Sequence, residues 1–186
     1  METRFSFKPT GFSGLTLCVP KVHVDERGRS FESYRSQDFE TQFGKLDWFL
    51  EYISESRRGV IRGLHYQVPP FAQPKWITVL RGSIFDVVVD LRKSSSTFGK
   101  VFTTELSMEN AASLFIPAGF AHAFQVTTES ALTFYKLGAA HAPECERGIF
   151  AGDPSLAIAW PMPEKEWILS AKDRSHPVFS KAETFS

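Results

Sequence analysis

Apolar and polar residues alternate along most of the chain in short runs with a period of two, the signature of strands buried on one face. "LTLCVP" (15–20) reads as a strand whose continuation Pro20 limits, "DERG" (25–28) as a turn, and "RSFESY" (29–34) as the strand that follows it. Beyond residue 60 the pattern is almost wholly β: "WITVL" (76–80), "IFDVVVDL" (84–91), "VFTTEL" (101–106), "ASLFIP" (112–117), "HAFQV" (122–126) and "ALTFYKL" (131–137). In "IFDVVVDL" the pattern sends Phe85, Val87, Val89 and Leu91 to one face, and Ile84, Asp86, Val88 and Asp90 to the other. Arg81-Gly82-Ser83 predicts a compact hairpin, with glycine where positive φ is cheap. One helix stands out, "SQDFETQFG" (36–44): Ser36 as its cap, Asp38 in its first turn, Phe39 and Phe43 on one face, Gly44 to end it. "PMPEKEWILSAKD" (161–173) reads as a covering segment. Strand spacing of this kind predicts an all-β sandwich or barrel.

The 186 residues suffice for one domain with a sizeable core, and no repeat, low-complexity stretch or linker divides residues 1–186. Lysine plus arginine and aspartate plus glutamate number 21 each, so no global field recruits nucleic acid or an anionic membrane, while a local phosphate-binding patch stays compatible. No segment has the length of a bilayer span, and the first residues lack the apolar core of a signal peptide, which predicts a cytoplasmic protein. The 18 phenylalanines predict a large aromatic core or pocket. Cys18 and Cys145 lie far apart in no metal-like spacing; a disulfide and two free thiols both fit, free thiols being the plainer reading in a reducing compartment.

Candidate chemistry centres on "RGVIRGLHYQ" (58–67), a strand carrying two arginines and a histidine. Either His65 is a satisfied core histidine, or the strand delivers a base and a cation into a cavity. "PAGFAH" (117–122) leads into His122 with a Pro-x-Gly-x-x-His arrangement that resembles the second motif of cupin barrels. Metal-binding cupins carry a His-x-His pair in their first motif, where this chain has His65-Tyr66-Gln67. Two imidazoles without a third ligand make a poor transition-metal site, so no metal is expected. His65 is then a general-base candidate, with Lys75, brought back by a hairpin, to stabilise developing charge and Tyr135 to return a proton. Taken singly, the stronger reading of Lys75 is a solvated strand end and that of Tyr135 a hydrogen-bonded core phenol.

The ordered series "RGVIRGLHYQ", "AQPKWITVLRGSIFDVVVDLRKSSSTFGK", "LSMENAASLFIPAGFAHAF", "FYK", "APECERGI", "IAWP" and "LSAKD" resembles the dTDP-4-dehydrorhamnose 3,5-epimerase family over residues 15–175. The resemblance implies a cupin-type antiparallel jelly roll, a homodimer exchanging N-terminal segments, and epimerisation beside the C4 ketone of a nucleotide-linked 4-keto-6-deoxyhexose. It gives His65 the role of base, Asp173 that of its dyad partner, Lys75 that of the cation near the ketone oxygen, and Tyr135 that of the acid on the opposite sugar face. Arg27, Glu32, Arg62, His122, His141, Glu146 and Lys172 fall at positions that hold the nucleotide sugar, with Arg27 and Glu32 reaching a neighbouring subunit. No cofactor is implied, and no GxGxxG stretch is present.

The chain departs from the family pattern at one end. Leu50-Glu51-Tyr52 stand where the family has Gln-Asp-Asn, His141 where a tyrosine stacks on thymine, and Ser30 where a phenylalanine is usual. These changes predict retained chemistry with an altered base preference, CDP being the leading substitute for dTDP. Other readings are an epimerase restricted to C3 or C5, a 3,4-ketoisomerase and a non-catalytic sugar-nucleotide-binding cupin. The combination of His65, Tyr135 and Asp173 favours the epimerase.

Overall fold

The computed structural model describes residues 4–186. In chain order the strands are β1 (Phe5–Pro9), β2 (Thr16–Pro20), β3 (His23–Asp25), β4 (Gly28–Ser30), β5 (Leu50–Arg57), β6 (Ile61–Gln67), β7 (Lys75–Arg81), β8 (Ser83–Asp90), β9 (Val101–Ser107), β10 (Ser113–Ile116), β11 (Phe120–Val126), β12 (Ser130–Leu137) and β13 (Glu146–Gly148). Helix α1 spans Ser36–Phe43 and α2 spans Ala171–Arg174. Six strands form one sheet in the order β1-β2-β10-β7-β12-β5, five form a second in the order β13-β6-β11-β8-β9, and β3 and β4 pair as a separate ribbon. All named pairs are antiparallel. The two sheets face one another as a cupin-type jelly roll.

Each sheet is covered on its outer face as well. Ile77, Val79, Ile84, Val88, Leu114 and Phe124 fill the space between the sheets. Leu64, Val87, Val89, Leu91 and Ile149 bury the outside of the five-stranded sheet under Ile158, Trp160, Phe179 and Phe185. The expected alternation of β8 is therefore realised, with its two sets of side chains entering two different cores. Aromatic residues dominate the third layer, where Phe39 and Phe43 of α1 meet Phe5, Phe7, Trp76 and Phe115 on the outside of the six-stranded sheet. Much of the phenylalanine surplus thus serves that layer. Cys18 and Cys145 are buried in different clusters and are free thiols.

Three local expectations need correction. The strand predicted over 29–34 ends at Ser30, and the chain from 31 to 35 turns irregularly into α1. The helix is where it was expected, but Arg35 occupies the capping position and no side chain caps it; Gly44 closes it with its N–H 2.9 Å from the Glu40 carbonyl. Arg81-Gly82-Ser83 is a corner, because β7 and β8 belong to different sheets. Residues 161–173 do cover the barrel: Ile168 bridges to Val60, and Trp167 packs edge-on against Trp160.

Among the described residues, no helix is long and apolar enough to cross a membrane.

Candidate active site

A cavity of about 570 Å³ opens between the sheets, lined among others by Arg62, His65, Lys75, His122, Tyr135, Glu146 and Asp173. Simple alternation would put Arg62 and His65, three positions apart, on opposite faces of β6. Gly63 resolves this. Its φ is +118°, the register with β11 shifts between His122 and Phe124, and a Cβ on Gly63 would fall 2.4 Å from the His122 carbonyl oxygen. The irregularity turns the strand so that Arg62 and His65 both line the cavity while Leu64 enters the outer core.

His65 Nε2 lies 2.7 Å from Asp173 Oδ1. Asp173 is buried and its ionised carboxylate only accepts, so Nε2 is the donor of this bond, and in the neutral ring the lone pair then sits on Nδ1. α2 positions the carboxylate, and the Ser170 hydroxyl caps that turn by accepting from the Asp173 N–H at 3.0 Å. Burial alone would raise the Asp173 carboxyl, but the bond to His65 and the Ser170 cap outweigh it and hold it below the usual carboxylate range.

Lys75, at the start of β7, reaches the cavity across the gap between sheets rather than by a hairpin return, and its Nζ donates to the His65 carbonyl at 3.1 Å. Burial pulls its ammonium down to about 8, against the opposing pull of the Glu146 and Asp86 carboxylates. Tyr135 on β12 is buried, and desolvation raises its phenol well above the ordinary value, so it stays protonated across the working range.

A second imidazole–carboxylate pair adjoins these groups. His122 Nε2 lies 2.8 Å from Asp86 Oδ2, both residues are buried, and the His122 ring stands 6.3 Å from that of Tyr135. Asp86 was not among the residues singled out for chemistry. Its signal was present all the same, since an acid on the core-facing side of β8 requires a partner.

Arg62 Nε donates to the Ser56 hydroxyl at 2.9 Å. At the cavity mouth Glu146 accepts from Lys172 Nζ at 2.5 Å and from His141 Nε2 at 3.2 Å, and His141 itself is exposed. Desolvation works to raise the Glu146 carboxyl, but Lys172 and His141 bring it below its ordinary range. Leu50 and Tyr52 line the same cavity. Arg27 and Glu32 do not. Arg27 is exposed at the β3–β4 turn, its Nε 3.1 and 3.2 Å from the Asp25 carboxylate oxygens, and Glu32 pairs with Arg35 at 2.6 and 2.8 Å.

Fold and cavity together define a cupin-type isomerase, organised for proton transfer at carbon. The chain belongs to the dTDP-4-dehydrorhamnose 3,5-epimerase family, whose model matches residues 9–181. It is 44% identical over 177 residues to the dTDP-4-dehydrorhamnose 3,5-epimerase of Shigella flexneri, covering 95% of this chain and 97% of that one. It is 45% identical to the enzyme of the same name from Pseudomonas aeruginosa, covering 92% and 94%. Among solved structures, the dTDP-6-deoxy-D-glucose-3,5-epimerase of Legionella pneumophila in complex with dTDP-4-keto-L-rhamnose superposes with a TM-score of 0.90 at 38% identity, covering 95% of this chain and 94% of that one.

Proposed function

We propose that the protein inverts C3 and C5 of a dTDP-linked 4-keto-6-deoxyhexose by successive proton removal and return beside the ketone. The observation that carries this is one cavity lined by the His65–Asp173 pair, Lys75 and Tyr135. A C–H beside a ketone is acidic because its carbanion delocalises onto oxygen as an enolate. Nδ1 of His65 takes the proton, and Asp173 holds the ring's orientation and offsets the imidazolium charge that forms. Lys75, its ammonium desolvated by burial, supplies positive charge to the enolate oxygen. Tyr135, held protonated by burial, returns a proton from the opposite face, which completes inversion.

Arg62, His122, Glu146 and Lys172 are assigned to the nucleotide sugar, Arg62 to the diphosphate through its guanidinium fork. Arg27 and Glu32 lie outside the cavity of their own chain, on and beside the β3–β4 ribbon, whose Val24 is 77% exposed. Such an arm fits a homodimer in which each subunit completes its neighbour's pocket. A cytoplasmic location agrees with a sugar-nucleotide substrate and two free cysteines.

The names of the relatives favour dTDP over CDP despite Leu50, Tyr52 and His141. Steady-state kinetics on the dTDP- and CDP-linked 4-keto-6-deoxyglucose, with products resolved by NMR, test the nucleotide. A higher kcat/KM for dTDP with inversion at both carbons is expected; preference for CDP, or inversion at one carbon alone, would revise the proposal.

A further inference from the structure

The His65–Asp173 pair has a third neighbour. His176 follows α2 and lays its ring over Gly148, the β13 residue paired with His65. A Cβ on Gly148 would fall 2.1 Å from Cε1 and 2.2 Å from Nδ1 of that ring, so only glycine leaves room for the imidazole. The ring stands edge-on to His65, with centroids 5.3 Å apart and planes at 86°. Its Nδ1 is buried without a hydrogen-bond partner, which is rare for a polar atom in a folded protein. One donor atom from each of His65, Asp173 and His176 lies within 4.8 Å of the others.

The cluster also sits between two cavities. His65 and Asp173 line the substrate cavity, whereas His176 lines a second one of about 390 Å³, shared with Arg147, Lys172 and Glu183. Reading metal affinity from His65 and His122 alone missed this trio, because its third member arrives from the far end of the chain.

We propose that His65, Asp173 and His176 form an inhibitory site for a borderline divalent transition-metal ion, Zn²⁺ above all, entered from the second cavity. Two imidazoles and a carboxylate with a fourth position for water are the donor set of open zinc sites, and the set is too poor in oxygen for Mg²⁺ or Ca²⁺. Without metal, the Nε2–H of His65 points at Asp173 and the Nδ1 lone pair is free. An ion bound at Nε2 moves the ring's single proton to Nδ1, a tautomer exchange with no net proton release. Nδ1 then carries a hydrogen and has no lone pair for the substrate's proton. The substrate cavity stays open, so the ion lowers kcat and leaves KM unchanged. The activity readout rests on the role proposed for His65; metal binding itself is measured without turnover.

The test titrates wild type and His176→Ala with Co²⁺, followed by its visible d–d bands, and with Zn²⁺, followed by epimerase turnover. Wild type should bind one four-coordinate Co²⁺ that Zn²⁺ displaces, and should lose kcat at constant KM, with recovery on adding EDTA. His176→Ala, shown by circular dichroism to be folded, should keep its metal-free rate and need at least about tenfold more metal for either effect. Equal metal sensitivity in the two proteins, or no Co²⁺ binding below millimolar concentrations, would overturn the site. A rise in KM with Zn²⁺ would place the ion in the substrate cavity and equally reject the assignment.

Discussion

Lys75 has the most informative titration in the cavity. Burial lowers its ammonium to about 8, so the cation assigned to the enolate oxygen is present below that pH and lost above it. The sign for activity follows: kcat/KM, which reports the free enzyme, should fall as pH rises through about 8. Lys75→Arg keeps its charge throughout this range, so its profile should stay flat there, whatever its absolute rate. An alkaline fall preserved in Lys75→Arg would assign the titration to another group. Tyr135→Phe separates the two halves of inversion. Proton abstraction, and hence hydrogen exchange with solvent, should persist while inversion falls by about 10²-fold or more, as expected for loss of a general acid. Normal inversion in Tyr135→Phe would make water or another side chain the acid. These residues are legible as a set only through their order along the chain; singly, a structural role is the stronger reading of Lys75 and of Tyr135.

Among the elements, β6 decides how the site is assembled. Gly63→Ala would put a Cβ 2.4 Å from the His122 carbonyl in a backbone of φ +118°, a strain of about 3 kcal/mol or more. Chemical denaturation should show that loss, and kcat should drop further than stability explains, because Arg62 and His65 would no longer share a face. Wild-type stability and rate in this variant would dismiss the role given to the bulge. Local pattern foretells the two faces of β8 and the span of α1, since alternation and helix signals are local rules. It fails where tertiary contacts override it. The parity break at Gly63 is visible only against β11, and the corner at Gly82 resembles a hairpin until the sheet of each strand is known. The pattern of β8 shows that Asp86 needs a partner but not that the partner is His122, and His176 gains meaning only from its place beside Asp173 and the sequence-distant His65.

At the level of the whole molecule, the β3–β4 ribbon contributes nothing to the cavity of its own subunit. Arg27→Ala and Glu32→Ala should each weaken activity while the subunit's own cavity stays intact. If the arm enters the neighbouring pocket, mixing inactive His65→Ala with inactive Arg27→Ala/Glu32→Ala should restore activity, because each heterodimer then holds one complete site. Sedimentation should show a dimer at micromolar concentration. No restoration after verified subunit exchange, or a fully active monomer, would return Arg27 and Glu32 to a role within their own chain.

The most direct measurement follows C3 and C5 by NMR while dTDP-4-keto-6-deoxyglucose is incubated in deuterated water with wild type, His65→Asn and Asp173→Asn. Wild type should place deuterium at both carbons with inversion. His65→Asn should lose exchange at both while remaining folded, by about 10³-fold or more, and Asp173→Asn should fall between them. Exchange at wild-type rate in His65→Asn, or none in the wild type, would contradict the account.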